Sequence, residues 1–538
     1  MLRLSEIKLP LEHTPEQLTT AIIKYLRLTP AELGKYSIYK RSYDARRSAQ
    51  CFTYIVDIAV KDEARLLKKF AHDRHVSPTP DMEYKYVAQA PTDFSERPLI
   101  VGFGPAGIFA ALVLAQMGFK PIVLERGKEV RERTQDTWGL WRKKNLNPES
   151  NVQYGEGGAG TFSDGKLYSQ VRDPRHLGRK VLQEFVRFGA PEEIIYVARP
   201  HIGTFRLVGM VERIRAEIIR LGGEIRFEHK VTDLLIDEQD GLRQTCGVIL
   251  DSGEKIYATH VVLALGHSSR DTFYKLYERG VYVEAKPFSI GFRIEHPQSL
   301  IDDARYGKNA GHPLLGAADY KLVHHAANGR TVYSFCMCPG GTVVAATSEP
   351  NCVVTNGMSQ YSRNERNANA AIVVGITPAD FPSDHPLAGI ELQRQLEARA
   401  FILGGEDYCA PAQLIGDFLA DAPSTQLGTV IPSYKPGVRL CNLAEALPDY
   451  AITALREAIP AFAKKIRGFD LADAIFTGVE TRTSSPVRIK RDDVTLQSIN
   501  TKGLFPAGEG AGYAGGILSA GIDGIEIAEA VAKSLMSL

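Results

Sequence analysis

Charge of one sign is missing from this 538-residue chain: Lys and Arg number 64 and Asp and Glu 63, for a formal net charge of +1. No global field therefore draws it to nucleic acid or to an anionic membrane. Its seven cysteines (Cys51, Cys246, Cys336, Cys338, Cys352, Cys409 and Cys441) form no CxxC pair and have no His-rich companion. That pattern argues against a structural metal and for a reducing, cytoplasmic compartment. The N-terminus has Arg3, Glu6, Lys8 and Glu12 where an export signal needs an apolar core. Repeats and low-complexity tracts are absent. The uncharged run from Leu99 to Phe119 has the length of a bilayer span. Its glycines and Pro105 mark it instead as a buried strand, turn and helix, so no membrane association is expected.

That run carries the most informative feature of the chain. Leu99-Ile100-Val101 is followed by Gly102-Phe103-Gly104-Pro105-Ala106-Gly107, an apolar helix through Ala111 and Gly118, and a second strand, Ile122-Val123-Leu124, ending at Glu125. Gly102 permits the tight turn, Gly104 lets a pyrophosphate approach the backbone, and Gly107 lets helix and strand pack closely. The helix N-terminus presents free N–H groups and a positive dipole end to phosphates. Glu125, with Arg126 beside it, stands about 20 residues past the first glycine, where a carboxylate takes both hydroxyls of an adenosine ribose. The constellation points to an ADP-containing cofactor.

Two more glycine-rich segments follow. Tyr154–Gly165, with Gly157, Gly158, Gly160 and Thr161, has too little side chain to pack a core and brings backbone N–H groups close to an anion or a ring. The alternative is a flexible surface loop. Leu504–Gly516, with Gly508, Glu509, Gly515 and Gly516, again runs from strand to glycine turn to the helix beginning at Ile517, without a second GxGxxG spacing.

Residues 1–95 read as a separate module. Strands are predicted at Leu2–Leu9, Lys35–Arg41, Phe52–Val60 and Glu83–Val87, and helices at Pro15–Leu28 and Asp62–Ala71. The order βαββαβ suggests a ferredoxin-like α+β domain, joined to the rest by a linker around Ala90–Pro98. Phe205–Leu221 has helical periodicity. Val231–Ile236, Thr245–Leu250 and Lys255–Ala258 form a three-strand meander with a hairpin at Asp240-Gly241. Val261–Gly266 returns as a buried strand. The dinucleotide unit thus covers 97–285 and resumes at 477–538, and residues 286–476 form a mixed α/β insertion of undetermined topology.

The fingerprint, the meander ending at Ala264-Leu265-Gly266 and the Leu504–Gly516 segment resemble the glutathione-reductase-type FAD-binding Rossmann fold. More narrowly, Ser334–Gly341 and Glu480–Arg488 resemble the signatures of FAD-dependent proteins labelled "NAD(FAD)-utilizing dehydrogenase". The resemblance implies FAD as cofactor. It also implies adenine contact at the Val231 backbone, a cleft bordered by Ala264 and Gly266, and Glu509 in the place of the Asp that usually bonds the ribityl chain. A second nicotinamide-binding fingerprint is lacking, so NAD(P)H would bind transiently or the substrate itself would deliver the hydride.

The implied activity is an FAD-dependent oxidoreductase in which hydride passes between flavin N5 and a small molecule held against the insertion. Candidate contacts are Arg482, able to hold a carboxylate or a reduced flavin anion, and Cys336 and Cys338, which face one side if they lie on a regular strand. A disulfide between cysteines so close in sequence is strained. His324 and His325 point apart and read as ordinary residues. Lys35, Lys40, Arg41, Arg46 and Arg47, interleaved with Tyr36, Tyr39, Tyr43, Phe52 and Tyr54, are a pattern that can bind RNA, but a solvated edge and loop, with the Lys and Arg blocking edge pairing, is the preferred account. An RNA-directed flavoenzyme and a flavin-binding regulator without turnover are the alternatives.

Overall fold

The computed structural model describes residues 1–44, 50–169 and 171–537. Parallel strands at Leu99–Val101, Ile122–Leu124, Glu224–Arg226, Val261–Leu263 and Leu504–Pro506 form one sheet. In sequence order they lie 3-2-1-4-5 across it, the doubly wound arrangement of dinucleotide-binding domains. Its order reverses between Leu99–Val101 and Val261–Leu263, and ligands of such sheets bind outside the carboxyl ends of the strands at that point. Helices Pro105–Gln116 and Ile517–Leu535 pack together on one face. The first is buried from Ala106 to Ala115, which accounts for its continuous apolar sequence. Among the described residues no helix is long and apolar enough to cross a membrane. The meander is a separate antiparallel sheet of Val231–Gln239, Leu242–Leu250 and Lys255–Tyr257.

The chain leaves this domain through Val283–Ala285 and returns beside it through Val487–Ile489, the two pairing antiparallel. Between them an eight-stranded, largely antiparallel sheet is built around Phe288–Pro297, Thr331–Ala345, Asn367–Ile376 and Ile475–Glu480. Thr331–Ala345 is one strand of 15 residues, whose register breaks between Phe335 and Cys338 and between Cys338 and Gly341. Helices Ala388–Gly404 and Asp449–Ala463 cover the sheet, and the largest apolar cluster of the molecule lies here.

In the N-terminal module the strands lie in the order Leu33–Asp44, Cys51–Val60, Leu2–Pro10, Val76–Pro78. This is the ferredoxin-like arrangement. Its last strand is Val76–Pro78 and not Glu83–Val87; the latter segment is irregular and lies against the dinucleotide domain, where Tyr84 Oη donates to Glu529 at 3.1 Å. Phe52 and Tyr54 turn into the module's own core, and the Arg41 guanidinium lies 5.4 Å from both the Phe52 and Tyr196 rings. Arg41 also pairs through its backbone with Tyr196 and Ala198. Arg46 and Arg47 lie outside the described residues.

Candidate functional site

A cavity of about 390 Å³ opens at the switch point, within the size range of small-molecule and cofactor sites. One wall is backbone. Gly102, Gly104, Pro105, Ala106, Gly158, Gly160, Ala264 and Gly266 line it, together with Gly508, Glu509, Gly515, Gly516 and Ile517. These distant segments interlock because side chains are missing. A Cβ on Gly102 would strike the Ala264 carbonyl, and one on Gly107 the Gly102 carbonyl. A Cβ on Gly158 would stand 2.8 Å from Gly104 Cα, and one on Gly508 2.8 Å from Ala106 Cβ. By contrast, a Cβ on Gly266, Gly515 or Gly516 would meet open space. The N-termini of the two packed helices, at Pro105 and Ile517, both reach the cavity and give it unpaired amides and positive dipole ends.

Gly107, Gly157 and Thr161 do not line this cavity. Gly107 acts in helix packing, as its spacing predicts. Gly157 and Thr161 are corrections to the cofactor set: they stand one layer back. The Gly157 amide donates to Phe103 O at 2.9 Å, and the Thr161 hydroxyl donates to Glu156 O at 3.3 Å.

At the far end, Glu125, Arg126 and Val231 line the cavity. The Glu125 carboxylate accepts the amides of Phe103, Gly127 and Gly155, each at 2.9 Å. About one of its four lone-pair sites remains, so the expectation that it takes both ribose hydroxyls is reduced to one. Arg126 stacks at 4.1 Å on the Tyr154 ring and pairs with Glu149 and Asp271. At the near end Glu509 Oε1 lies 3.5 Å from His267 Nδ1, and His267 Nε2 is buried without a hydrogen-bond partner. The turn before Glu509 is held from behind. Gly508 N–H donates at 2.6 Å to Asp523, which Arg491 pairs with at 2.6 Å.

The glycine cradle, the paired helix N-termini, the carboxylate at one end and the orphaned His267 nitrogen at the other fit an extended dinucleotide such as FAD. Backbone amides and helix ends would hold its phosphates, Glu125 its ribose, and Glu509 with His267 the polyol chain.

The opposite wall is made of side chains: Lys166, Tyr168, Cys336, Asn356, Glu480, Arg482 and Thr483. Arg482 reaches the cavity, but four of its five N–H donors are engaged. Nε and Nη2 grip Glu397 at 3.0 and 2.8 Å, and Nη1 donates to Ser268 and Ser348 at 2.9 and 2.8 Å. The expectation that Arg482 clamps a substrate carboxylate is therefore corrected. It is one half of a buried clamp on Glu397, whose other half is Arg270 at 2.8 Å. Burial alone would raise the Glu397 carboxyl, but the two guanidinium groups outweigh it and hold it well below the usual range. Glu349, Cys352 and Glu397 sit close enough to share an ion, yet both carboxylates are already ion-paired with arginine.

Cys336 and Cys338 do not lie on a regular strand, since the pairing register breaks on either side of Cys338. Cys336 has φ +44°, in the left-handed region. It lines the cavity, while Cys338 is fully buried behind it. Glu480 has a single, long hydrogen bond, from Thr355 Oγ1 at 3.4 Å. Burial raises its pKa to about 7 against the opposing charge of Arg293, whose Nε is 3.8 Å away. His324 pairs with Glu457 at 2.8 Å, away from the cavity, and His325 meets Thr331.

Sequence reasoning missed Lys166, His267, Arg293 and Glu480. A carboxylate and an arginine inside otherwise apolar strand patterns (Phe288–Pro297 and Ile475–Glu480) were the available signal for the last two.

Comparison with known proteins is consistent with this geometry. Residues 287–483 match the family described as "FAD-dependent protein, C-terminal domain-like", and residues 1–59 match a domain of unknown function. An uncharacterized protein of Clostridium beijerinckii is 48% identical over 530 residues, 98% of each chain. Among solved structures, the flavin-dependent brominase Bmp2 is 12% identical with a TM-score of 0.38, over 82% of this chain and 80% of that one. The halogenase PltM in complex with phloroglucinol and FAD is 11% identical with a TM-score of 0.37, over 82% and 69%. The fold assignment rests on the strand order above and not on these two.

Proposed function

This chain belongs to the same family as the Clostridium beijerinckii protein, and its middle third carries the FAD-dependent C-terminal domain-like region; from that premise we propose that it is an FAD-dependent oxidoreductase. The observation that carries the reading is the cavity with one wall of glycine backbone and helix ends and the other of ionisable side chains. Bound flavin supplies the hydride chemistry. The protein's own work is to bind, orient and exclude water. The glycine wall fixes the dinucleotide. Lys166, Asn356 and Glu480 face the remaining volume and present a cation, an amide and a carboxyl to a small polar substrate. Glu480, titrating near neutrality, is suited to give or take the proton that accompanies a hydride. The hydride donor is NAD(P)H bound transiently or the substrate itself.

The test is spectroscopic. Purified protein is expected to carry, or to take up, FAD with visible absorbance, and that absorbance is expected to bleach anaerobically with NADH, NADPH or a member of a metabolite panel. Failure to bind added FAD removes the proposal. Binding without bleaching by any reductant favours a regulator without turnover.

A further inference from the structure

The wall opposite the glycines holds two thiols that the proposed reaction does not use. We propose that Cys336 and Cys338 form a dithiol–disulfide centre at the edge of the cavity, with Cys336 as the attacking sulfur and small disulfides as the substrate class that reaches it. The inference rests on the proposed flavin site for its electron partner, but not for the chemistry of the pair.

Four observations carry it. First, only one of the two sulfurs is presented: Cys336 lines the cavity and Cys338 is buried behind it, the arrangement of an attacking and a resolving thiol. Second, the backbone departs from a regular strand at the pair: Cys336 is left-handed and the pairing register breaks between Phe335 and Cys338, so strand alternation does not fix how the two side chains sit. Third, the sulfurs lie in a cationic setting. Lys166 donates to the Met337 carbonyl and its Nζ is 3.9 Å from Cys338 Sγ, while Arg293 Nη2 donates to the Cys336 carbonyl at 2.8 Å. The Arg293 Nε and Nη1 groups are buried without hydrogen-bond partners, and their one nearby anion is Glu480, 3.8 Å from Nε, which burial pushes towards its neutral form. Asp164, 3.4 Å from Lys166, is itself neutralised by Arg363. Fourth, Cys338 Sγ donates to the Cys336 carbonyl at 3.3 Å, so the two residues touch.

These groups set the two thiols apart. A hydrogen bond from Cys338, helped by Lys166 and Arg293, holds the Cys336 thiol well below its usual range against burial, whereas the same hydrogen bond and burial raise Cys338. The thiolate is the nucleophile. The Cys336 thiolate attacks one sulfur of a disulfide, R–S–S–R, forming a Cys336–S–S–R bond as the substrate bond breaks and RS⁻ leaves. Cys338 then attacks Cys336 Sγ; a second RS⁻ leaves, and the Cys338 proton passes to a leaving thiolate. The substrate gains two electrons, and the pair loses two as its own disulfide forms. Flavin bound in its reduced form at the glycine wall would supply the two electrons that restore the pair.

The experiment uses the full chain with FAD added. The protein is exposed to hydroxyethyl disulfide, quenched in acid and labelled with a maleimide after denaturation, and its peptides are then mapped by mass. The peptide spanning Thr331–Ala345 is expected to lose both labels and two hydrogens, and to regain both labels with dithiothreitol. The other five cysteines keep theirs. In C338S, Cys336 is expected to accumulate as a mixed disulfide with the probe. In native protein at neutral pH, iodoacetamide is expected to alkylate Cys336 at least ~10-fold faster than Cys338. Retention of both labels in wild type, or an unmodified Cys336 in C338S, overturns the proposal. FAD uptake with both labels retained sinks this inference alone, whereas disulfide formation in protein that binds no FAD supports the pair and sinks the flavin reading.

Discussion

The two walls of the cavity are built by opposite means. The dinucleotide wall works by omission: Gly102, Gly107, Gly158 and Gly508 allow backbones to touch, and the cofactor groups meet amides and helix ends whose positions the fold already fixes. The charged wall works by accumulation: Lys166 from the dinucleotide domain and Arg293, Glu397, Glu480 and Arg482 from beyond it are carried into the interior, where each charge must be matched. The first wall is cheap to assemble and intolerant of added atoms. The second is intolerant of lost partners. Adding bulk to one wall and removing charge from the other should therefore fail in different ways.

The largest effect is expected on the first wall. Gly107→Val would drive a branched side chain into the Gly102 carbonyl, where no flexible neighbour yields. Overpacking of this kind costs about 1–3 kcal/mol, occasionally more, and here it also displaces the fingerprint turn. The variant is expected to be recovered without flavin absorbance and mostly insoluble; a soluble, fully flavin-loaded protein would show that the turn is not the cofactor cradle.

On the second wall, Glu397→Gln removes the one anion shared by Arg270 and Arg482. Breaking a buried pair costs about 3–5 kcal/mol, so the urea midpoint should fall by a comparable amount. Because Glu397 joins the Ala388–Gly404 helix of the insertion to both flanking segments, its loss should also loosen the wall against the dinucleotide domain. That would be read as increased hydrogen exchange at Ser268 and Ser348. A midpoint unchanged within error would mean that the clamp is ornamental.

This contrast also explains what the residues alone revealed. The glycine wall was legible because its chemistry is local: each turn needs its glycines within a few positions, and Gly102–Gly107 and Gly508–Gly516 carry that need on their face. The charged wall was not legible because its members come from residues 166, 293, 336, 397 and 480 and acquire meaning only when the eight-stranded sheet brings them together. Arg482 drew attention as an arginine near a flavin segment, yet nothing local announces that Glu397, 85 residues away, has taken its donors. The left-handed turn at Cys336 likewise has no sequence signal, since cysteine is not a residue that favours it, and it removes the basis for a side assignment drawn from strand alternation.

A smaller effect separates burial from pairing on the second wall. Glu480 titrates near 7 in the folded chain and near 4.3 when exposed. A folded pKa raised in this way contributes stability that is complete below about pH 4.3 and is lost as pH climbs to about 7, because only the unfolded chain gains from ionising in that window. The wild type should lose about 3 kcal/mol of stability from this group between those limits. In Glu480→Gln the same interval should be correspondingly flatter in guanidinium titrations at pH 5 and pH 7.5. Parallel slopes for the two proteins would mean that Glu480 is already ionised at pH 5 and is paired more closely with Arg293 than the 3.8 Å separation implies.

The smallest change is the sharpest test of the first wall. Gly515 lines the cavity, has no positive φ, and a Cβ placed on it meets nothing within 4 Å. Gly515→Ala should therefore fold with a stability change inside about 0.5 kcal/mol, as for a substitution that disturbs no packed contact. Its methyl group points into volume that only a bound molecule uses, so FAD titrated into the apoprotein should bind several-fold more weakly while the melting temperature of the apoprotein stays put. Unaltered affinity would move the flavin away from the terminal glycine segment and leave the cradle to Gly102–Gly107 and Gly158. A drop in apoprotein stability would show that the gap is part of the protein's own packing and not of its ligand site.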